Sequence, residues 1–360
     1  MTDSQDIEKL NQTIDQRDGE ELDLAAIDGL LKERIDGLSG DGLVRQFPSG
    51  QSNLTYQIVY GDRRLVLRRP PFGTKPKSGH SMIREFRVMN ALRPVFPAVP
   101  VTYFHMDDEE SPLGAEFYVM EQVEGRKLGR DLPPEWSFSN EDGRQLGLTF
   151  MDRLIDLHKV DYTAIGLGDF GRPEGYVERQ ILGWNSRYEK AHTPDVDAFE
   201  DVRTWLAENR PETEVGHCIV HGDYRLDNVI VDENDPQTIK AVLDWEISAL
   251  GDPLMDLGNT LAYWIQDSDP EPVRMMRMQP CNAPGMPTRE ELVAYYGEKM
   301  GLDVSHFHFY LASGVFRLAV ILQQIYYRYY HGQTQNKHFA RFAAQVNLLG
   351  NHARALIEAG

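Results

Sequence analysis

At 360 residues, with 41% hydrophobic and 26% charged residues, the chain has the composition of a globular protein long enough for two lobes. Its formal charge of −19 argues against a nucleic-acid partner, and no uninterrupted apolar stretch reads as long enough for a membrane span. The polar N-terminus carries no basic-then-apolar leader, and only Cys218 and Cys281 are present, so no disulfide framework is expected and a reducing cytoplasm is the expected compartment.

Residues 1–21 are polar and acidic with little periodicity and are expected to form a mobile tail. Leu24, Ile27, Leu31, Ile35 and Leu38 then recur at helical spacing, which predicts an amphipathic helix closing near Gly37–Gly40. Strands are predicted at about 43–47, 54–60 and 63–69, the last two joined at Gly61-Asp62. A helix over about 81–92 precedes strands near 101–105 and 116–122. Beyond Gly125 the pattern is mostly helical, at about 140–159, 197–209, 254–266, 288–300, 305–330 and 335–357. The expected fold class is α+β and two-lobed, with a small antiparallel β-sheet lobe over 22–122 and a mostly helical lobe over 123–360.

The densest chemistry lies in His221-Gly222-Asp223-Tyr224-Arg225-Leu226-Asp227-Asn228, followed by Val242-Leu243-Asp244-Trp245-Glu246. Cys218-Ile219-Val220 enters this segment as a short apolar strand, and Val229-Ile230-Val231 leaves it as another. A polar turn over 232–236 then leads to a third apolar run ending at Asp244. Two strands joined by that turn bring Asn228 and Asp244 to the same end of one hairpin, as two ligands of a single Mg²⁺ require. Protein kinases share the His-x-Asp-x-x-x-x-Asn spacing. More specifically, His-Gly-Asp, Leu-Asp-Trp-Glu and Gly251-Asp252-Pro253-Leu254-Met255-Asp256-Leu257-Gly258 resemble the aminoglycoside phosphotransferase and choline kinase family. The wording is most similar to the kinase-like domain associated with some acyl-CoA dehydrogenases, and the resemblance covers roughly residues 40–350.

That resemblance implies a protein-kinase-like fold, ATP and Mg²⁺ as cofactors, and transfer of a phosphoryl group to a hydroxyl. Asp223 is then the residue that accepts or orients the hydroxyl proton, and Asn228 and Asp244 are the metal ligands. His221 and Asp227 are expected to brace the loop, with Glu246 as an accessory to metal or loop. Asp252 is expected to hold the loop, and Asp256 to cap a helix beginning near Leu257. The polar segment Ser49-Gly50-Gln51-Ser52-Asn53 sits where a kinase covers the phosphates. Arg68 occupies the position of the usual strand lysine, with Glu85 as its helix partner and Arg69 as second candidate. Met120, Glu121 and Val123 fall at the adenine-facing strand end.

The implied partner is a small-molecule hydroxyl acceptor, such as a hydroxyacyl thioester or another hydroxy metabolite, with choline-type and aminoglycoside acceptors still open. Arg317, Gln323, Gln324, Tyr326, Tyr327, Arg328, Tyr329, Tyr330 and His331 form a late stripe. Some of its members are candidates for the acceptor pocket and most for packing. No membrane association or obligate protein partner is evident. A pseudokinase that binds nucleotide or a partner without transferring phosphate is the rival reading, kept alive by the arginine at the lysine position. Zinc at His217 and His221 would need a helix where an apolar strand is read, and the further ligands of a metallophosphatase are not found.

Overall fold

The structure, a computed structural model, describes residues 12–48, 53–72 and 81–360. The chain divides into two compact units. The first takes in the described residues up to Ser137 with Thr163–Leu167 and Leu226–Ser248; the second comprises Phe138–Tyr162, Gly168–Arg225 and Ala249–Gly360.

In the first unit, helix α1 (Leu24–Arg34) starts at Asp23, whose carboxylate accepts from the Ala26 N–H at 3.1 Å. That bond satisfies one of the orphan donors of the first turn. The helix stops short of Gly37 because Ile35 adopts extended backbone, yet Ile35 and Leu38 stay buried in the segment that follows. Five antiparallel strands come next: β1 (Leu43–Gln46), β2 (Leu54–Tyr60), β3 (Arg63–Arg69), β4 (Thr102–Met106) and β5 (Phe117–Glu121), in the order β1-β2-β3-β5-β4. Leu54, Tyr56, Ile58 and Tyr60 alternate onto one face of β2 and share a core with Ile27 and Leu31. Helix α2 (Met82–Leu92) buries Met82, Val88, Met89 and Leu92 together with one carboxylate, Glu85.

Residues 12–21 differ from the expected mobile tail. Ile14 bridges Gln46 through paired backbone hydrogen bonds of 2.8 and 2.9 Å, and Arg45 holds Thr13 and Asp15. The Gln46 amide donates to Glu20, and Tyr56 Oη donates to the Glu20 carbonyl at 2.6 Å. Hydrogen-bonding side chains on β1 and β2 therefore dock a segment that has almost no apolar residues of its own.

The first unit also contains β6 (Arg126–Lys127), β8 (Val229–Val231) and β9 (Ile239–Val242), a three-stranded sheet in the order β6-β8-β9. The division thus runs elsewhere than the expected cut between 122 and 123. Val242 N–H donates to the Ala98 carbonyl at 2.8 Å, Arg84 reaches the Ser248 carbonyl at 3.1 Å, and Phe96 meets Trp245 edge-on at 6.2 Å. These contacts fasten the Asn228–Glu246 hairpin to the unit that carries Arg68.

The second unit is mostly helical. Helix α3 (Asn140–His158) opens on a Ser139/Asp142 capping box, and α8 (Arg289–Met300) on a Thr288/Glu291 capping box. Between them lie α4 (Tyr176–Ala191), α5 (Glu200–Glu208), β7 (Cys218–Val220), β10 (Ala249–Gly251), α6 (Pro253–Ala262) and α7 (Glu271–Arg274). Strands β7 and β10 pair antiparallel. Helices α9 (Phe307–Tyr330) and α10 (Phe342–Ala359) end the chain.

Helix α4 was not expected, because only Tyr176, Val177, Ile181, Tyr188 and Ala191 of its residues are buried and the stripe is thin. Helix α9, by contrast, is long and apolar enough to cross a membrane by length and composition, contrary to the sequence expectation. Most of it is buried inside its own unit. A Cβ on Gly258 would fall 2.4 Å from the Tyr310 carbonyl oxygen, and one on Gly314 2.4 Å from the Gly258 carbonyl oxygen. Helices α6 and α9 therefore pack backbone against backbone, and α9 is apolar because it is a core helix.

Candidate active site

In the first unit, β3 alternation sends Arg68 and Arg69 to opposite faces of the sheet. Arg68 contacts Glu85 of α2, and its Nη2 lies 3.3 Å from Asp244 Oδ1 and 4.0 Å from Glu246 Oε2. Arg69 stacks on Phe72, its guanidinium 4.1 Å from the ring centroid, and has no part in this cluster. Of the two candidate cations, the structure brings Arg68 to the expected Glu85.

The cluster is electrostatically crowded. Burial pushes the Glu85 carboxyl up to about 7; the Arg68 charge opposes this, while Asp244 and Glu246 add to it. Burial works against the Arg68 cation as well, but the surrounding carboxylates, Glu85 foremost, hold it firmly protonated. One guanidinium thus offsets three acids, an arrangement that leaves a second cation welcome.

Asn228 and Asp244 meet at one end of the β8–β9 hairpin. Val229 pairs with Val242, and the Leu243 N–H donates to the Asn228 carbonyl at 2.8 Å, which places Asp244 one residue beyond that rung. Asn228 is buried at 4% exposure. Asp244 takes a left-handed backbone conformation, φ 69° and ψ 58°, which is unusual for a residue with a side chain and is tolerated where function holds it. An amide oxygen and a carboxylate are hard donors suited to Mg²⁺, which takes few protein ligands and completes its shell with phosphate and water. Both are oxygen donors, with none of the nitrogen or sulfur ligands that zinc prefers, so the pair fits Mg²⁺ better than zinc.

Of the expected phosphate loop, Asn53 is buried and its amide donates to Glu246 Oε2 at 2.9 Å; Ser49, Gly50, Gln51 and Ser52 lie outside the described residues. Glu246 therefore links this loop to the Arg68 cluster. At the expected adenine edge, Met120 is buried on β5, the Glu121 N–H is spent on the Val101 carbonyl at 2.8 Å, and Val123 follows just beyond the strand, half-buried.

The second unit holds the loop that carries Asp223. Gly222 has φ 81°, a conformation that suits glycine and turns the chain immediately before Asp223. Asp256 accepts the His221 N–H at 2.7 Å and the Gly222 N–H at 2.8 Å, and His158 Nε2 lies 3.1 Å from the same carboxylate. His158 Nδ1 in turn lies 2.6 Å from Tyr296 Oη. Burial raises the Tyr296 hydroxyl well above its ordinary range, so it keeps its proton and donates to Nδ1, which leaves the Nε2 proton facing Asp256. Burial alone would raise the Asp256 carboxyl as well. The hydrogen bond from His158 and the His221 N–H outweigh it and hold Asp256 below the usual carboxylate range.

The expected roles of the two aspartates are exchanged. Asp252 caps α6, accepting from Leu254 N and Met255 N at 2.8 and 3.1 Å, and also receives the Val215 N–H. Asp256, one turn into α6, grips the His221-Gly222 backbone. The helix starts at Pro253, which is favoured at a first helical position, and the cap falls one residue before it. His158 and Tyr296 escape sequence reasoning because they lie 98 and 40 positions from Asp256 with no motif around either. His221 braces the loop as expected, its Nδ1 accepting the Asp223 N–H at 3.3 Å. Arg225 stacks over Tyr263 at 4.6 Å, and its Nε lies 3.6 Å from Asp223 Oδ1.

This sheet-and-helix architecture, with its His-Gly-Asp loop and Arg68–Glu85 pair, is that of the protein-kinase-like phosphotransferases. The chain belongs to the Phosphotransferase enzyme family, whose model matches residues 43–292. It is 33% identical over 323 residues to acyl-CoA dehydrogenase family member 11 of Rattus norvegicus, covering 88% of this chain and 41% of that protein. Acyl-CoA dehydrogenase family member 10 of Mus musculus is 38% identical over 294 residues, or 81% of this chain and 27% of the relative. The chain therefore spans less than half the length of these relatives. A solved protein from Ralstonia eutropha, provisionally named an aminoglycoside phosphotransferase, superposes with a TM-score of 0.80 at 31% identity, covering 94% of this chain and 99% of that one.

Proposed function

We propose that the chain transfers the γ-phosphoryl group of ATP, with Mg²⁺, to a hydroxyl of a small molecule. The observation that carries this reading is the Arg68 cluster: one buried guanidinium in contact with Glu85 and, at 3.3 Å, with Asp244, on a hairpin end that also presents Asn228. Arg68 would receive phosphate oxygens, a role its fork geometry suits, and Asn228 and Asp244 would hold the metal. Held there, the metal would supply positive charge that offsets the phosphates. Asp223 would accept or orient the proton of the attacking hydroxyl, on a loop held by Asp256 and His221. Asn53 would position the phosphate-covering segment through Glu246, and Met120, Glu121 and Val123 would border the base.

The names of the longer relatives motivate a hydroxyacyl thioester or a related hydroxy metabolite as acceptor, and that of the solved Ralstonia protein keeps an aminoglycoside beside it. An intact set of Asp223, Asn228 and Asp244, with the Glu85 partner in place, speaks against a pseudokinase. The test is ATP turnover with Mg²⁺ across a panel of hydroxylated metabolites, wild type against Asp223→Ala. A loss of about 10²- to 10⁴-fold is expected, with nucleotide binding retained. Turnover unchanged by Asp223→Ala would remove the proposed base, and no Mg²⁺-dependent thermal shift with ATP would remove the nucleotide site.

A further inference from the structure

Helix α9 sends Arg317 into the interior of the second unit, at 7% exposure. Its Nη2 donates to the Gly222 carbonyl at 3.0 Å, so it is bonded to the peptide that leads into Asp223. Its Nη1 is buried with no hydrogen-bond partner. The guanidinium stands 5.3 Å from the Trp184 ring centroid, and that of Arg187, one turn further along α4, stands 4.4 Å from the same ring. Partial burial of its guanidinium, and then the charge of Arg317, lowers the Arg187 pKa. Among the described residues neither arginine has an ion-pair partner, in a chain with 56 acidic against 37 basic side chains.

A buried guanidinium with an unmet donor costs stability unless something else satisfies it. Two cations sharing one indole repel each other, and a cation–π contact offsets only part of that. What settles such a pair is an oxyanion, which accepts from both forks.

We propose that Arg317 and Arg187, beside the Trp184 ring, form a subsite for an anionic group, a carboxylate or phosphate, on the phosphate acceptor. This rests on the kinase reading, since it makes the acceptor a molecule with a hydroxyl at one place and an oxyanion at another. Arg317 then has two duties: Nη2 fixes the loop of Asp223, and Nη1 reads the acceptor. An uncharged alcohol or a choline-type cation would leave Nη1 unmet and is disfavoured.

The first measurement needs no turnover. Inorganic phosphate is titrated into the nucleotide-free protein and followed by calorimetry, with Arg68→Gln as the control for phosphate entering the nucleotide site. Arg68→Gln should retain binding, whereas Arg187→Gln should weaken it by about tenfold, the scale of one charge-assisted hydrogen bond. Arg187 is exposed, so this variant should fold. Arg317→Lys, which keeps the charge and loses the fork, should also weaken binding while near-ultraviolet circular dichroism stays native.

The second measurement compares 3-hydroxybutyrate, 1,3-butanediol and 3-hydroxybutyryl-CoA as acceptors with saturating Mg-ATP. A raised KM in Arg187→Gln for the free acid identifies a carboxylate; the same change for the thioester alone identifies the coenzyme phosphates. In either case the KM for ATP should hold. Phosphate binding lost in Arg68→Gln and unchanged in both Arg187→Gln and Arg317→Lys would overturn the subsite, as would a diol that serves as well as both anionic acceptors. Normal Mg-ATP binding beside that result leaves the kinase reading standing. Absent Mg-ATP binding with intact phosphate binding would sink the kinase reading and spare the anion site.

Discussion

Glu85 of the first unit and Asp256 of the second are both buried carboxylates, each at 1% exposure, and their surroundings push them in opposite directions. Asp256 sits among donors: two backbone N–H groups and an imidazole whose other nitrogen is held by a tyrosine. Glu85 sits among other acids and one cation that it shares with Asp244 and Glu246. The first arrangement is complete within the protein and makes a rigid mount. The second is balanced only in part and can accept further positive charge. A kinase needs both: a fixed loop for the group that meets the hydroxyl, and an adaptable charge cluster where nucleotide and metal arrive.

The harshest way to break this contrast is Asp256→Ala. It strands the His221 and Gly222 N–H groups and the His158 ring in the interior, and a loss of about 3–5 kcal/mol is expected from denaturant unfolding. A loss under about 1 kcal/mol would mean that the mount is not built on this carboxylate. Arg68→Met should act differently. Three acids lose their cation, yet protonation of Glu85 and bound Mg²⁺ can relieve them, so the larger effect should fall on the ligand. Mg-ATP affinity should drop by about 10- to 100-fold, or roughly 1.4–2.8 kcal/mol, with a smaller change in stability. If Arg68→Met unfolds the protein as severely as Asp256→Ala does, the two regions are not different in kind.

How much of this was legible in the sequence follows from where each determinant resides. The 218–246 segment could be read because its strands, turn and polar residues are contiguous, so that Asn228 and Asp244 share a hairpin end by register alone. The Arg68–Glu85 pair could be anticipated because strand alternation and helix placement are local regularities. The exchange of Asp252 and Asp256 could not, because both lie in one short motif and only the three-dimensional path of residues 221–222 selects which of them it meets. The same holds for His158, Tyr296, Trp184 and Arg187, whose parts depend on which helix packs beside which. Helix α4 was hidden by its polar face, and the docking of residues 13–20 by its reliance on hydrogen bonds instead of apolar periodicity.

The opposite displacements of the two carboxylates also predict opposite pH dependences in the nucleotide- and metal-free protein. Burial pushes the Glu85 carboxyl from an ordinary value near 4.5 up to about 7, so over that window the folded state holds the extra proton and stability declines as pH rises. The decline should be on the order of 3 kcal/mol and should vanish in Glu85→Gln. Asp256, depressed below 3.8, contributes stability that is fully present above that value and is lost as pH falls through its folded pKa. Unfolding curves from pH 3 to 8 should therefore become shallower above 4.5 in Glu85→Gln but not in Asp256→Asn, and shallower at the acid end in Asp256→Asn but not in Glu85→Gln. Both slopes changing together in either variant would couple the two sites and collapse the distinction.

The smallest effect sharpens the account of the first unit. Asn53→Ala removes one 2.9 Å hydrogen bond to Glu246, and about 1 kcal/mol of stability is expected to go with it. Glu246 then loses a donor and gains nothing, so it should draw more on Arg68, whose Nη2 is already 4.0 Å away. Mg-ATP affinity should fall by about threefold, because a guanidinium held harder by its own acids is less available to phosphate. The comparison that decides this is the double variant Asn53→Ala/Glu246→Gln. If Asn53 acts through Glu246, the double variant should bind Mg-ATP no more weakly than Glu246→Gln alone. Additive losses would instead place Asn53 on the nucleotide itself.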